Sequence, residues 1–202
     1  MEQFGDFRIN INIEKNNIRY WLNDSLILNP EENSSLTEII KSSKRKLLYR
    51  ATRDGFTAKA FHLNCDGKEN TITIIKNNLN YVFGGFASTA WNSSNNYIID
   101  RNAFIFSLRR NGISHKDKFM IKNEQYEKAL YGHSSHGPTF GGGHDILIVD
   151  NSNFINGNYC EIGTSFHLPE GLIRSLHHQQ SFLAGSFKQW KVIEIEVYQV
   201  IN

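Results

Sequence analysis

Three residue sets in this chain carry side chains at spacings that could do chemistry. Cys160, His167 and Glu196 supply the types of a nucleophile, a base and an orienting acid, the set a thiol hydrolase or peroxidase needs within hydrogen-bond reach. Nothing in the sequence brings the three together, and a buried cysteine is commonly just a small apolar residue. His62-x-x-Cys65 and His133-x-x-His136 have spacings a metal can use, with His144-Asp145 as further ligands. Zinc wants about four convergent ligands, whereas these pairs lie on separate segments without a Cys-x-x-Cys knuckle. The plainer reading is a half-buried helical His62 beside a packed Cys65, with surface-loop histidines at 133 and 136. The expectation is therefore no catalytic, no cofactor-binding and no metal-ligating residue, and no cofactor.

Three other polar groups read the same way. Arg53-Asp54, next to a turn, reads as an ion pair or an Asx-type turn contact before a ligand site. Trp91, followed by Asn92-Ser93-Ser94-Asn95-Asn96, reads as the partly buried anchor of a loop, with stacking on a sugar as the alternative. His177-His178 beside Gln179-Gln180 reads as a polar loop.

The run Gly137-Pro138-Thr139-Phe140-Gly141-Gly142-Gly143-His144-Asp145 leads straight into Ile146-Leu147-Ile148-Val149. Consecutive glycines carry an entropic penalty, so they mark backbone at positive φ or in close approach. A phosphate loop fails on two counts. Gly143 stands where lysine is needed, and the segment enters β-branched residues where a helix N-terminus is required. The run is expected to be a structural turn at the foot of a buried strand, with Gly142→Val destabilising because it forces a β-branched residue to positive φ.

The elements that position these groups are mostly short strands. Residues 7–13 alternate strictly and predict a strand with one wet face. Ser35-Leu36-Thr37-Glu38 fits a capping box ahead of an apolar stripe of Leu36, Ile39 and Ile40. Residues 46–50 predict a strand, and Thr57 caps a short helix through about Cys65, stopped by Asp66-Gly67. Residues 71–75 and 81–83 flank Asn77-Asn78-Leu79-Asn80 as a hairpin, and Gly84-Gly85 lets another segment approach closely. Further strands are predicted at 103–108, 118–121, 146–149 and 190–198. In the last, Glu194 and Glu196 share a face expected to meet solvent or basic partners. Many short strands with few helices favour a mainly β fold, a two-sheet antiparallel sandwich with peripheral short helices. Ile74, Phe83, Phe104, Phe106, Ile148 and Val197 are expected among its inward-facing residues.

The chain of 202 residues favours one substantial core. Its 22 basic and 20 acidic residues nearly cancel, which argues against nucleic acid, because the densest basic cluster is only Lys44-Arg45-Lys46. Those three read as a solvated helix end. The N-terminal residues have no secretory pattern, Glu2 excludes N-myristoylation, and no stretch reaches transmembrane length. Cys65 and Cys160 are expected as free thiols, and the protein as soluble and cytoplasmic, with no direct membrane insertion.

Leu47-Leu48-Tyr49-Arg50-Ala51-Thr52-Arg53-Asp54-Gly55-Phe56, Phe61-His62, Cys65-Asp66, Thr73-Ile74-Ile75-Lys76, Phe83-Gly84-Gly85-Phe86, residues 103–108, residues 137–145 and Glu194-Ile195-Glu196-Val197 occur in one order. That ordered series resembles a TLDc domain over roughly residues 25–202, with residues 1–24 as an N-terminal extension. The resemblance implies a β-sandwich with a few peripheral helices, as in oxidation-resistance proteins and relatives that bind the vacuolar proton-pumping ATPase. It carries over no catalytic residue or cofactor. It implies a noncatalytic interaction domain in oxidative-stress protection, with the soluble sector of that pump as partner. The alternatives are a small thiol-dependent enzyme using Cys160, or a carbohydrate-binding sandwich using Trp91.

Overall fold

Isoleucines at 72, 74 and 75 and aromatics at 83, 104 and 106 sit in segments too short for helices and bounded by Asn and Gly turns, so they pair as strands. In the computed structural model, which describes residues 10–14, 17–21, 24–172, 176–186 and 188–201, the chain begins with a hairpin of β1 (Asn10–Glu14) and β2 (Asn17–Trp21). Residues 7–9 of the first predicted strand lie outside the described residues. Helix α1 (Pro30–Ile40) leads to β3 (Arg45–Arg50), then short helices α2 (Ala51–Asp54) and α3 (Ala58–Cys65). Strands β4 (Thr71–Asn77), β5 (Val82–Ala87), β6 (Asn96–Ile98), β7 (Phe104–Arg110) and β8 (Ile113–Met120) follow. The chain closes with β9 (Leu130–Gly132), β10 (His136–Phe140), β11 (Ile146–Val149), β12 (Tyr159–Cys160), α4 (Leu176–Ser181) and β13 (Val192–Val200).

Two antiparallel sheets result, one of six strands in the order β3-β13-β4-β5-β7-β8 and one of five in the order β12-β11-β10-β9-β6. Phe83, Trp91, Phe140, Ile148, Trp190 and Val197 lie in the larger of two buried clusters. Gly85 admits the opposing sheet, because a Cβ there would stand 2.6 Å from the Phe140 ring. Ile74, Phe104 and Phe106 are also buried, but in the second cluster, with Leu36 and Ile39 of α1 and with Ile27 and Leu28. The six-stranded sheet is thus covered on both faces, which is why β4 is buried along nearly its whole length, threonines included. Each such side chain contributes about 1.5–3 kcal/mol on burial.

Helix α1 starts earlier than the Ser35 box predicts. Asn29 is its N-cap: Asn29 Oδ1 accepts from Glu32 N at 2.8 Å, Glu32 Oε2 accepts from Asn29 N at 3.0 Å, and Pro30 occupies the first turn. The same Glu32 carboxylate is fully buried and receives Arg109 Nε at 2.6 Å and Nη2 at 2.7 Å, fastening α1 to β7. Lys44, Arg45 and Lys46 are not a helix end. The helix stops at Ile40, and Arg45 and Lys46 open β3.

The acidic face expected on β13 is also corrected. Glu194 and Glu196 are buried at 4% and 0% exposure while Ile193 is half exposed, because the register against β4 shifts between Val192 and Glu194. Glu194 accepts Thr52 N at 3.1 Å and the Thr52 hydroxyl, serving the first turn of α2. Glu196 has the basic partner predicted, Arg50 Nη2 at 2.9 Å, and also accepts Ser25 Oγ at 2.6 Å and Leu26 N at 2.8 Å. Burial raises the Glu196 carboxyl against those donors.

Candidate functional site

The triglycine run forms the turn between β10 and β11. Gly141 and Gly143 take φ of +87° each and His144 +70°, while Gly142 is not among the left-handed residues, so the positive φ expected there belongs to its neighbours. Gly141 N donates to Ala129 O at 2.8 Å, and Gly142 N donates to Ser165 Oγ at 2.8 Å. Asp145 is fully buried, and its carboxylate accepts Gly163 N at 2.8 Å, Thr164 N at 3.1 Å and Ser165 N at 2.9 Å. Burial lifts its carboxyl to about 6 against the downward pull of these donors. Asp145 engages the backbone N–H groups of the 163–165 loop, and those of Gly141, Gly142 and His144 go to Ala129 O, Ser165 Oγ and Gly141 O, so the corner is a scaffold joining two loops.

The histidines flagged in sequence do converge, around Tyr131. His62, buried on α3, has Nδ1 2.7 Å from Asp66 Oδ1 and Nε2 3.0 Å from the carbonyls of both His133 and His136. Both ring nitrogens face acceptors, which ties α3 to the turn between β9 and β10. The His133 and His136 rings stack with centroids 4.4 Å apart, and Tyr131 lies 5.3 Å from His133 and 5.7 Å from His144. Nδ1 of His136 and of His144 is buried with no hydrogen-bond partner among the described residues. Burial lowers the pKa of both, and neighbouring histidines add to the effect. Yet among the described residues no group of three His, Cys, Asp or Glu side chains is placed to hold a metal ion. Sequence reasoning missed Asp66, although its i,i+4 spacing from His62 was the signal that could have found it, and Tyr131, which no spacing rule links to a residue about 70 positions away.

The thiols are closed off from solvent. Cys65 and Cys160 are free and fully buried, and burial raises both thiol pKa values strongly. Cys160 pairs with Ile146 in the five-stranded sheet, Glu196 is held by Arg50 in the six-stranded sheet, and His167 is exposed, its backbone N donating to Met120 O. No hydrogen bond among the described residues links any two of them. Arg53 and Asp54 form the expected ion pair at 2.8 Å, and Asp54 Oδ2 also accepts Arg50 N at 2.9 Å. Trp91 is fully buried, edge-on to Phe61 and Phe140, with Nε1 donating to Thr71 Oγ1 at 2.9 Å, so it offers no face to a sugar. His177 and His178 belong to α4 and not to a loop.

Several large apolar side chains stand exposed among the polar surface. Leu63 on α3 is 82% exposed and Phe154 is 76% exposed, with Ile155 beside it. Asp150 Oδ1 accepts Ala58 N at 2.8 Å, bringing the loop that carries Phe154 to the start of the helix that carries Leu63. Among the described residues no helix is long and apolar enough to cross a membrane.

No curated protein matches the chain. The family model of the TLDc domain matches residues 21–201, nearly the whole length, and the two antiparallel sheets just described carry the ordered motifs. The chain belongs to the TLDc domain family.

Proposed function

We propose that this domain is a noncatalytic interaction module that acts in the cytoplasm in protection against oxidative stress, by binding and regulating the soluble sector of the vacuolar proton-pumping ATPase. Membership of the TLDc family supports the partner class. The observation that carries the noncatalytic part is the enclosure of Cys160: a fully buried thiol, held protonated by its surroundings, is neither a nucleophile nor accessible to peroxide. The contact surface lies on exposed loops and edges of a rigid sandwich, where Leu63, Phe154 and Ile155 stand out of the core. With a net charge of only +2, the contact is not purely electrostatic, so moderate salt weakens it less steeply than it weakens nucleic-acid binding.

The test is a pull-down of pump subunits at low and moderate salt, run beside a peroxide-consumption assay with wild type and Cys160→Ala. Recovery of a soluble pump subunit with no peroxide turnover is the expected result. Turnover abolished by Cys160→Ala, with no subunit recovered, would overturn the proposal in favour of a thiol enzyme.

A further inference from the structure

At the tip of the β7–β8 hairpin the chain forms an open cleft of about 290 Å³, against the segment that follows α4. Its volume is at the low end for small-ligand sites, which run roughly 300–1,000 Å³. Its floor is apolar and fixed in place. Phe182 packs edge-on against Phe119 with centroids 5.7 Å apart, and Leu172 and Phe182 both pack on the main core. Ile113, 65% exposed, forms the rim.

The polar groups in the cleft are oriented as donors. The Arg110 guanidinium stacks over the Phe182 ring at 4.4 Å, pairs with Asp117 through Nη1, and donates to His115 Nδ1 from Nη2 at 2.9 Å. A guanidinium has no acceptor, so His115 Nδ1 must accept, and the imidazole proton therefore sits on Nε2. Burial and the Arg110 charge both keep that ring neutral. Tyr81 donates its hydroxyl to Asn111 Oδ1 at 2.7 Å, leaving the Asn111 amide nitrogen as a donor. Arg110 itself has five N–H groups, of which these two contacts engage two.

A stacked and doubly anchored guanidinium, an imidazole N–H and an amide N–H beside an apolar floor complement one ligand chemistry: a carboxylate on a flat apolar body. We propose that this cleft binds a small aryl or alkyl monocarboxylate, with the carboxylate on Arg110, His115 Nε2 and the Asn111 amide and the apolar body on Phe182, Leu172 and Ile113. The inference is independent of any pump contact. Arg110 remains charged at every physiological pH, so the donor set is maintained across that range.

The test is an amide-detected NMR titration of the full chain with three matched probes: phenylacetate, phenylacetamide and phenethylamine. Phenylacetate is expected to saturate with a Kd that is roughly millimolar, shifting the amides of residues 110–115 and 182. Phenylacetamide should bind about tenfold more weakly and phenethylamine more weakly still. Arg110→Gln should weaken phenylacetate about tenfold while leaving phenylacetamide unchanged. If that variant does not fold, Arg110→Lys keeps the charge without the planar fork and should also weaken phenylacetate selectively. Equal binding of all three probes, shifts centred elsewhere, or no saturation by phenylacetate would overturn the proposal.

Discussion

Replacing Gly141 with alanine separates a backbone role for the triglycine turn from a ligand-loop role. At φ of +87° any L side chain is strained, by about 1–2 kcal/mol. The new Cβ would also fall on Asp145 Oδ2, inside any van der Waals contact, and 3.1 Å from the Asp145 backbone N. Asp145 cannot retreat without releasing the buried N–H of Ser165, which it holds at 2.9 Å, and a buried donor left unpaired costs about 1–3 kcal/mol. The sum is about 2–5 kcal/mol, a large share of the 5–15 kcal/mol that holds a typical domain folded. For a chain of this size that corresponds to a fall in Tm of roughly 4–20 °C. Gly142 is the control. A Cβ there would stand 2.9 Å from Cδ and 3.0 Å from Cβ of Lys128, an exposed side chain whose end can swing away while its Cβ must give slightly, so Gly142→Ala should cost about 1 kcal/mol. Urea unfolding followed by tryptophan fluorescence measures both. In an Asp145→Ala background, Gly141→Ala should cost only its backbone share of about 1–2 kcal/mol. The reasoning fails if Gly142→Ala is the more damaging of the two, or if the Gly141 penalty is unchanged when Asp145 is absent.

The buried imidazoles give a pH signature. The folded-state pKa values of His136 and His144 are lowered, so the unfolded chain binds more protons as pH falls through about 6.5, and stability drops there. Asp145, raised to about 6, acts in the opposite direction below that pH, since its proton is held more tightly in the folded state. The His136→Gln and His144→Gln variants should therefore flatten the acid slope relative to wild type in unfolding curves taken from pH 7.5 down to about 5.5; identical slopes would count against the assignment. Trp91→Phe should destabilise by about 1–2 kcal/mol, for the lost bond to Thr71, and Trp91→Ala by about 3–5 kcal/mol, for the cavity between Phe61 and Phe140. Thermal melts of the two variants check that order.

Local chemistry was the part of the structure most legible in the sequence. Thr57 caps α3 because a threonine hydroxyl reaches the backbone N of Ala60, at 3.1 Å, whatever surrounds it. The Asn77–Asn80 turn makes its hairpin for the same reason, since Asn80 accepts a left-handed φ of +60°. Two capping boxes competed for α1, and the one with proline in the first turn prevailed because Glu32 also finds Arg109 across the fold. That second contact spans 77 positions and leaves no local trace. Glu194 and Glu196 misled for a related reason. Alternation assigns a face but cannot place a register shift, nor foresee that Thr52, Arg50 and Ser25 would supply donors to buried carboxylates. The histidine cluster shows the same limit, because a capped helix and separate turns each carried only a local signature and only the packing of α3 against β10 brings them together.

The carboxylate of Glu196 joins three passages of chain at one buried point: the backbone at Ser25 and Leu26, the edge strand β3 through Arg50, and its own strand β13, which is paired on both sides. Mechanically this is an anchor. A pull applied ahead of residue 24 reaches, through Ser25 and Leu26, a strand that is paired on both sides and not an edge. Resistance to such a load is set by the unfolding rate and not by equilibrium stability.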